Sequence, residues 1–332
     1  VTATSVCRAL RDAGHKAIFV DMFLGLENYT GRLEDAFDAP DGFCGSVSIS
    51  ETAPDLEAVK ASRKLKSPSH LGVGVLDICA LADCVFLGLH GIDGEDGKIQ
   101  AALELLGVPY TGSGPLGSAM AMDKAVAKRI MESAGILTPK WREITYTAAD
   151  VPALVQELPV PCVVKAVDGG SSIGVSLPDT REQLEQALYD VLRYGHRIVV
   201  EEKIVGREFT QPVLGGDYLS TIQIVPPEGS TFDYVAKYQS GAAAARELCP
   251  APCTEEEHRL LGETALKLHH ALGLSVYSRA DFILDAEGRP WCLEVNTLPG
   301  MTPNSLIPKA AKVAGMTYQE LCEKIVSLSL AK

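Results

Sequence analysis

Apolar positions along the chain switch repeatedly between a continuous or two-residue pattern and a helical one. Residues 83–89, "DCVFLGL", form a near-continuous apolar run, the pattern of a strand buried on both faces. Residues 15–21, "HKAIFVD", predict another strand, after a short helix over Ser5 to Ala13 that Gly14 stops. An α/β unit that opens on a helix predicts a strand ahead of Val1, so the sequence is expected to be trimmed at its start. "KIQAALELLG" predicts a helix with Ile99, Leu103 and Leu106 on one face. A further helix is expected from Met122 to Ala134, ended by Gly135. "PCVVK" (161–165) and "RIVVEE" (197–202) predict strands, and between them Leu184, Ala187, Leu188 and Val191 stand at helical spacing.

From residue 207 strands dominate: "REFTQPVLG", "LSTIQIV", "FDYVAKY", "ADFILD" and "PWCLEV". "DAEGR" predicts a hairpin between the last two. Two helices interrupt this region. Thr254 with Glu257, and Thr317 with Glu320, read as capping boxes at their starts. "PYTGSGPLGS" (109–118) is a candidate domain boundary.

Length and composition narrow the class. A chain of 332 residues predicts two or three domains at about 100–200 residues each. No apolar run is long enough to span a bilayer. A net charge of −13 argues against a nucleic-acid backbone as partner, while leaving room for a local basic pocket. Nine cysteines include no CxxC pair, which points to reduced thiols in a cytosolic protein.

Several short stretches could carry chemistry. In "LEVNTLPGM" (293–301), Glu294 and Asn296 are two apart, so on a strand they share a face. A carboxylate beside a carboxamide offers oxygen ligands to a hard cation such as Mg2+. A solvated strand face followed by a turn has the same pattern. "SRADF" sets Arg279 and Asp281 on one face of a neighbouring strand, from which Asp281 can approach Glu294 and Asn296. A salt-bridge ladder on the surface would use the same residues.

"VVKAVDGGSSIG" delivers Lys165 and then Gly169, Gly170, Ser171, Ser172 and Gly174. Glycines admit backbone N–H groups close to a phosphate, and hydroxyls and a lysine add donors and charge. The lysine precedes the glycines, so this is not the GxxxxGK[ST] loop; a plain hairpin turn is the alternative. "MDKAVAKR" puts Lys124 at a helix start, where it opposes the helix dipole unless an anion binds there. In "VEEKIVGREF", Glu201, Glu202 and Glu208 surround Ile204, a combination suited to an adenine edge and ribose hydroxyls or simply to solvent.

Taken in order, these pieces resemble the D-alanine–D-alanine ligase family of the ATP-grasp superfamily. "LHGIDGEDGKIQAALELLGVPYTGSG", "AMAMDKAVAKR", "VVKAVDGGSSIGV", "DYVAKY", "CPAP", "SRADF", "LEVNTLPGMTPNSLIPKAA" and "AGMTYQEL" carry the likeness, which covers essentially the whole chain. The resemblance implies a mixed α/β and α+β fold in three parts: an N-terminal α/β domain (1–114), a small central ATP-grasp domain (115–203) and a C-terminal catalytic domain (204–332), with ATP between the last two. It implies ATP-dependent joining of two D-alanines through a D-alanyl phosphate, for peptidoglycan precursors.

The resemblance also distributes roles. Lys124 and Lys165 would hold the nucleotide phosphates. Glu201, Ile204 and Glu208, with the backbone at Glu202, would hold adenine and ribose. Asp281, Glu294 and Asn296 would bind two Mg2+ or Mn2+ ions. Arg279 and the Gly300 N–H would serve the oxyanion. Ser305 and the Leu306 backbone would hold the second substrate's carboxylate, and His90 would border the first. Ser171 and Tyr238 would belong to a hydrogen-bonded set that orients the active-site loop and helps manage the amine proton, and Lys237 would lie on the same loop. Family members carry a glutamate just ahead of the position of Val1, so a nucleotide-binding but inert fragment is one alternative. A D-alanine–D-serine ligase is the other. A homodimer is implied as well.

Overall fold

Two antiparallel sheets position the candidate site. The computed structural model describes residues 1–38, 56–168, 174–226 and 245–332. The first sheet has strands β1 (Trp141–Thr145), β2 (Cys162–Ala166), β3 (Val175–Ser176) and β4 (Arg197–Glu202), in the order β1-β4-β2-β3. One face of it is closed by helices Val151–Glu157 and Arg181–Val191. Leu184, Leu188 and Val191, the residues at helical spacing, bury against Val164, Ile198 and Val200. Thr180 and Gln183 cap the second of these helices reciprocally.

The second sheet has strands β5 (Arg207–Leu214), β6 (Asp217–Tyr218), β7 (Ile222–Val225), β8 (Arg246–Leu248), β9 (Tyr277–Leu284) and β10 (Pro290–Asn296). They run in the order β10-β9-β5-β7-β8, with β6 paired to β5. Phe209, Val213, Ala280 and Phe282 alternate onto one face. That face packs against helix Glu255–Ala271 through Leu261, Ala265 and Leu268. Helices Pro115–Met122 and Lys124–Ser133 join the same core through Ala121, Ala127 and Met131. Both capping boxes read from the sequence form: Thr254 accepts the Glu257 N–H, and Thr317 accepts the Glu320 N–H.

A third core unites the two ends of the chain. Val6 and Leu10 of helix Thr2–Asp12 and Leu103 of helix Lys98–Leu105 meet Tyr277, Leu298, Leu321 and Ile325. Leu106, expected on the buried face, lies beyond the helix end and stays exposed. The helix expected over 122–134 forms over Lys124–Ser133, capped by Asp123, whose extended backbone lets its side chain accept the Val126 N–H at 2.9 Å.

The strands expected over 15–21 and 83–89 do not form ladders. Val85 makes one bridge to Tyr110, donating to the Pro109 carbonyl and accepting from the Thr111 N–H. The next bond is taken by a side chain, since the Leu87 N–H donates to Thr111 Oγ1 at 3.0 Å. Both apolar segments instead line an open groove of about 1650 Å3. Of the two segments only Leu87 is buried; the other residues are half-buried or exposed along the groove. Every cysteine among the described residues is a free thiol. No helix among them is long and apolar enough to cross a membrane.

Candidate active site

The acidic face predicted on β9 and β10 forms, and a bulge makes it. Cys292 pairs with Phe282, but Glu294 pairs with Asp281, so Leu293 is an extra residue in β10. Cys292 and Val295 both enter the sheet core. A strict two-residue alternation from Cys292 would send Glu294 and Asn296 into that core as well. The extra residue turns both onto the opposite face, beside Arg279 and Asp281. There the Asn296 amide donates to Asp281 Oδ2 at 3.3 Å.

Asp281 is held from several sides. Arg279 donates through Nε (3.0 Å) and Nη2 (2.9 Å), and Thr210 Oγ1 donates at 2.5 Å. Burial alone would lower the Arg279 pKa, but Asp281 outweighs it and raises the guanidinium well above its ordinary value. Arg279 is therefore a fixed cation in a largely enclosed place.

Lysines approach this face from the neighbouring elements. Lys124, the first residue of its helix, lies with Nζ 3.6 Å from Glu294 Oε2. Lys165 on β2 is buried and donates to Glu201 Oε2 on β4 at 2.9 Å. A third lysine, Lys128, joins them. Its Nζ lies 3.1 Å from Glu201 Oε1 and aligns a proton with Thr138 Oγ1 at 2.7 Å. Burial opposes charge in Lys128, Lys165 and Glu201. Glu201 is nevertheless held below the usual carboxylate range by Lys165 and Lys128, and Lys165 is raised by Glu201 and Glu294. Lys128 stays below the ordinary lysine range because burial wins. The Glu201 carboxylate is thus committed to two lysines.

The turn after β10 is clamped by the segment 90–95. Glu95 Oε1 accepts the Thr297 N–H (3.1 Å) and the Leu298 N–H (2.8 Å), while Oε2 accepts the Gly91 N–H (2.9 Å). His90 Nδ1 lies 2.9 Å from the Leu298 carbonyl. Beyond the clamp, Ser305 caps the turn, its Oγ accepting the Thr302 N–H at 3.0 Å. A Cβ on Gly300 would stand 3.0 Å from that Oγ, a tight approach that the serine hydroxyl would have to shift to relieve. Leu306 opens the following helix, Leu306–Val313. Glu95, Lys124, Glu294 and Asn296 border one small cavity of about 20 Å3, the scale of a single water or ion.

Glu202, Ile204 and Glu208 are half-buried at the end of β4 and the start of β5. Glu202 Oε1 accepts the Lys140 N–H at 2.9 Å. Ser171, Lys237 and Tyr238 lie outside the described residues. Glu95, Lys128 and Thr210 are the residues that motif reasoning passed over. "HGIDGEDG" was legible as a turn, but its glutamate is one of several acids there. Lys128 differs from an ordinary helix-surface lysine only by standing four residues after Lys124, on the same face.

These elements recur in known proteins. A family model described as "D-ala D-ala ligase N-terminus" matches residues 1–113, and one described as "D-ala D-ala ligase C-terminus" matches residues 130–327. The chain belongs to the D-alanine–D-alanine ligase family. The D-alanine–D-alanine ligase of Pediococcus pentosaceus is 38% identical over 326 residues, 98% of this chain and 91% of that one. The enzyme of the same name from Halalkalibacterium halodurans is 42% identical over 299 residues, 86% of this chain and 95% of its relative. Among solved structures, the Bacillus anthracis ligase complexed with ATP superposes with a TM-score of 0.65 at 33% identity, covering 78% of this chain and 82% of that one. The VanG D-Ala:D-Ser ligase from Enterococcus faecalis gives 0.66 at 33% identity, covering 75% and 73%. The fold is therefore that of the ATP-grasp ligases, a mixed α and β architecture.

Proposed function

We propose that this chain joins two D-alanines into D-alanyl-D-alanine at the expense of ATP, forming ADP and phosphate. The observation that carries this reading is the bulge-made face, where Asp281, Glu294 and Asn296 stand beside Arg279 and Lys124. Oxygen ligands and fixed cations on one face suit a transferring phosphoryl group.

A carboxylate does not acylate an amine, because oxide is a hopeless leaving group. One carboxylate oxygen of the first D-alanine attacks the γ-phosphorus of ATP, and ADP leaves. The neutral amine of the second D-alanine then attacks the acyl carbon, loses a proton, and phosphate leaves. Lys124 and Lys165 hold the nucleotide phosphates. Arg279, fixed by Asp281, and the Gly300 N–H serve the oxyanion. Ser305 and the Leu306 backbone bind the second substrate's carboxylate, with His90 bordering the first. Ile204, Glu208 and the backbone around Glu201 and Glu202 border adenine and ribose. By the family resemblance, Ser171, Lys237 and Tyr238 contribute to the same site. Excluding water protects the acyl phosphate from hydrolysis.

The donor set of two carboxylates and one carboxamide fits a hard divalent cation. Asp281, Glu294 and Asn296 would hold two Mg2+ or Mn2+ ions. These supply charge neutralisation along the phosphates. The domain division 1–114, 115–203 and 204–332, a cytoplasmic location and a homodimer belong to the same reading.

The test is ADP and phosphate release with Mg2+ and D-alanine, against L-alanine and no amino acid, with the dipeptide identified. Release that requires D-alanine supports the ligase. ATP binding without D-alanine-dependent release would instead favour an inert nucleotide-binding chain.

A further inference from the structure

Lys128 is out of place as a helix-surface lysine. Its side chain is 1% exposed, one turn after Lys124 on the same helix. It reaches two strands that carry proposed site residues, β4 directly and β10 through Thr138. Its Nζ lies 3.1 Å from Glu201 on β4 and donates to Thr138, whose hydroxyl donates at 2.9 Å to the Cys292 carbonyl on β10. Cys292 is the last residue in register before the bulge that turns Glu294 outward. The other oxygen of Glu201 holds Lys165 at 2.9 Å.

Two ammonium groups therefore share one buried carboxylate. Were Lys128 neutral, Glu201 would serve Lys165 alone, and a matched buried pair would present little net charge to an approaching anion. With Lys128 in place, the carboxylate's charge is divided and Lys165 keeps part of its own. Glu294 also draws on Lys165, so the division matters most where an incoming phosphate competes for that lysine.

We propose that Lys128 is a positioning residue for ATP: it shares Glu201 with Lys165 and so leaves Lys165 charge available to the nucleotide phosphates. This rests on the reading of Lys165 as a phosphate-binding residue. Lys128 itself touches no substrate.

The experiment compares wild type with Lys128→Met and Lys128→Arg. Melting temperature, the ATP dissociation constant by calorimetry, and kcat and KM for each substrate are measured. Lys128→Met is expected to weaken ATP binding and raise the KM for ATP at least tenfold. The KM for D-alanine should stay within about twofold, and Lys128→Arg should recover most of the ATP affinity. Should Lys128→Met fail to fold, Lys128→Gln carries the same expectation, since it keeps a partner for Thr138 and loses the charge. A folded neutral variant with wild-type ATP affinity overturns the proposal. So does a change that moves the ATP and D-alanine constants together, or one that the arginine does not recover. Wild type that binds ATP but releases no ADP with D-alanine would sink the ligase reading alone; the dissociation constants of the variants would still decide on Lys128. Wild type that binds no ATP sinks both.

Discussion

The Glu95 carboxylate accepts the Leu298 N–H at 2.8 Å, joining the turn at 91–95 to the turn after β10, 203 residues later. The same oxygen takes the Thr297 N–H, and the other takes the Gly91 N–H. Glu95 therefore fixes the path by which the chain arrives at Gly300. Glu95→Ala would leave three N–H groups without this acceptor, at about 1–3 kcal/mol for each that stays buried and unpaired. Displacing the turn by about 1 Å costs on the order of 100-fold in rate. The expected outcome is a kcat lowered by roughly that factor with ATP affinity nearly unchanged. Steady-state kinetics and calorimetric ATP binding on the same preparation check it. A wild-type kcat would show that the turn holds without its clamp.

Glu294 is the residue that most directly tests the proposed divalent-cation site. It faces Asp281 across the sheet only because Leu293 is extra. Glu294→Gln keeps the shape and removes the charge that a hard cation needs. D-alanine-dependent ADP release is expected to vanish with EDTA in wild type and to return with Mg2+ or Mn2+. In Glu294→Gln it should fall at least 100-fold and require more Mg2+. Turnover that persists in EDTA would contradict the assignment of Asp281, Glu294 and Asn296.

How far the sequence announced this arrangement depends on the residue. Glu294, Asn296, Arg279 and Asp281 were legible because two-residue spacing on adjacent strands puts them on one face. The bulge that makes the face was not, since a single apolar residue such as Leu293 carries no mark of being unpaired. The capping boxes at Thr254 and Thr317 were legible because their chemistry is local. The helix Pro115–Met122 was passed over because "PYTGSGPLGS" reads as a boundary, and Asp123, bonding to the Val126 N–H, divides it from the helix that was expected. Residues 15–21 and 83–89 look like strands because both are apolar. The apolar pattern does not settle pairing: here both segments line an open groove, with Leu87 alone buried. Glu95 and Lys128 were overlooked because their partners lie far off in sequence.

His269 gives the fold a pH dependence of predictable sign. It is 3% exposed, lies beside Ser278 at 2.7 Å, and has its pKa lowered to about 4, chiefly by burial and secondarily by His270. Its ordinary value is 6.5. Between these two values the unfolded chain binds more protons than the folded one, so stability rises with pH across that window. The contribution is fully present above pH 6.5 and is lost as pH falls towards 4. Its full size is roughly 3 kcal/mol. Urea unfolding of wild type and His269→Gln at a series of pH values measures it. The variant should lack this part of the acid slope; an identical slope would assign the acid sensitivity to other groups.

The second substrate is decided by chemistry that the fold leaves open. A D-Ala:D-Ser ligase and a D-alanine–D-alanine ligase superpose on this chain equally well, with TM-scores of 0.66 and 0.65. Ser305, whose hydroxyl is held by Thr302, would grip the carboxylate that both amino acids share, so it cannot separate them. Discrimination must come from space around the side-chain methyl. A pocket shaped for a methyl rejects an added hydroxyl only by about 100-fold. With both amino acids supplied equally, D-alanyl-D-alanine should dominate, with D-alanyl-D-serine as a minor product of about one part in a hundred. Mass-spectrometric product ratios measure this. A ratio near one, or an excess of the mixed dipeptide, would mean that the site donates a hydrogen bond to the serine hydroxyl, and the D-serine ligase would become the better assignment.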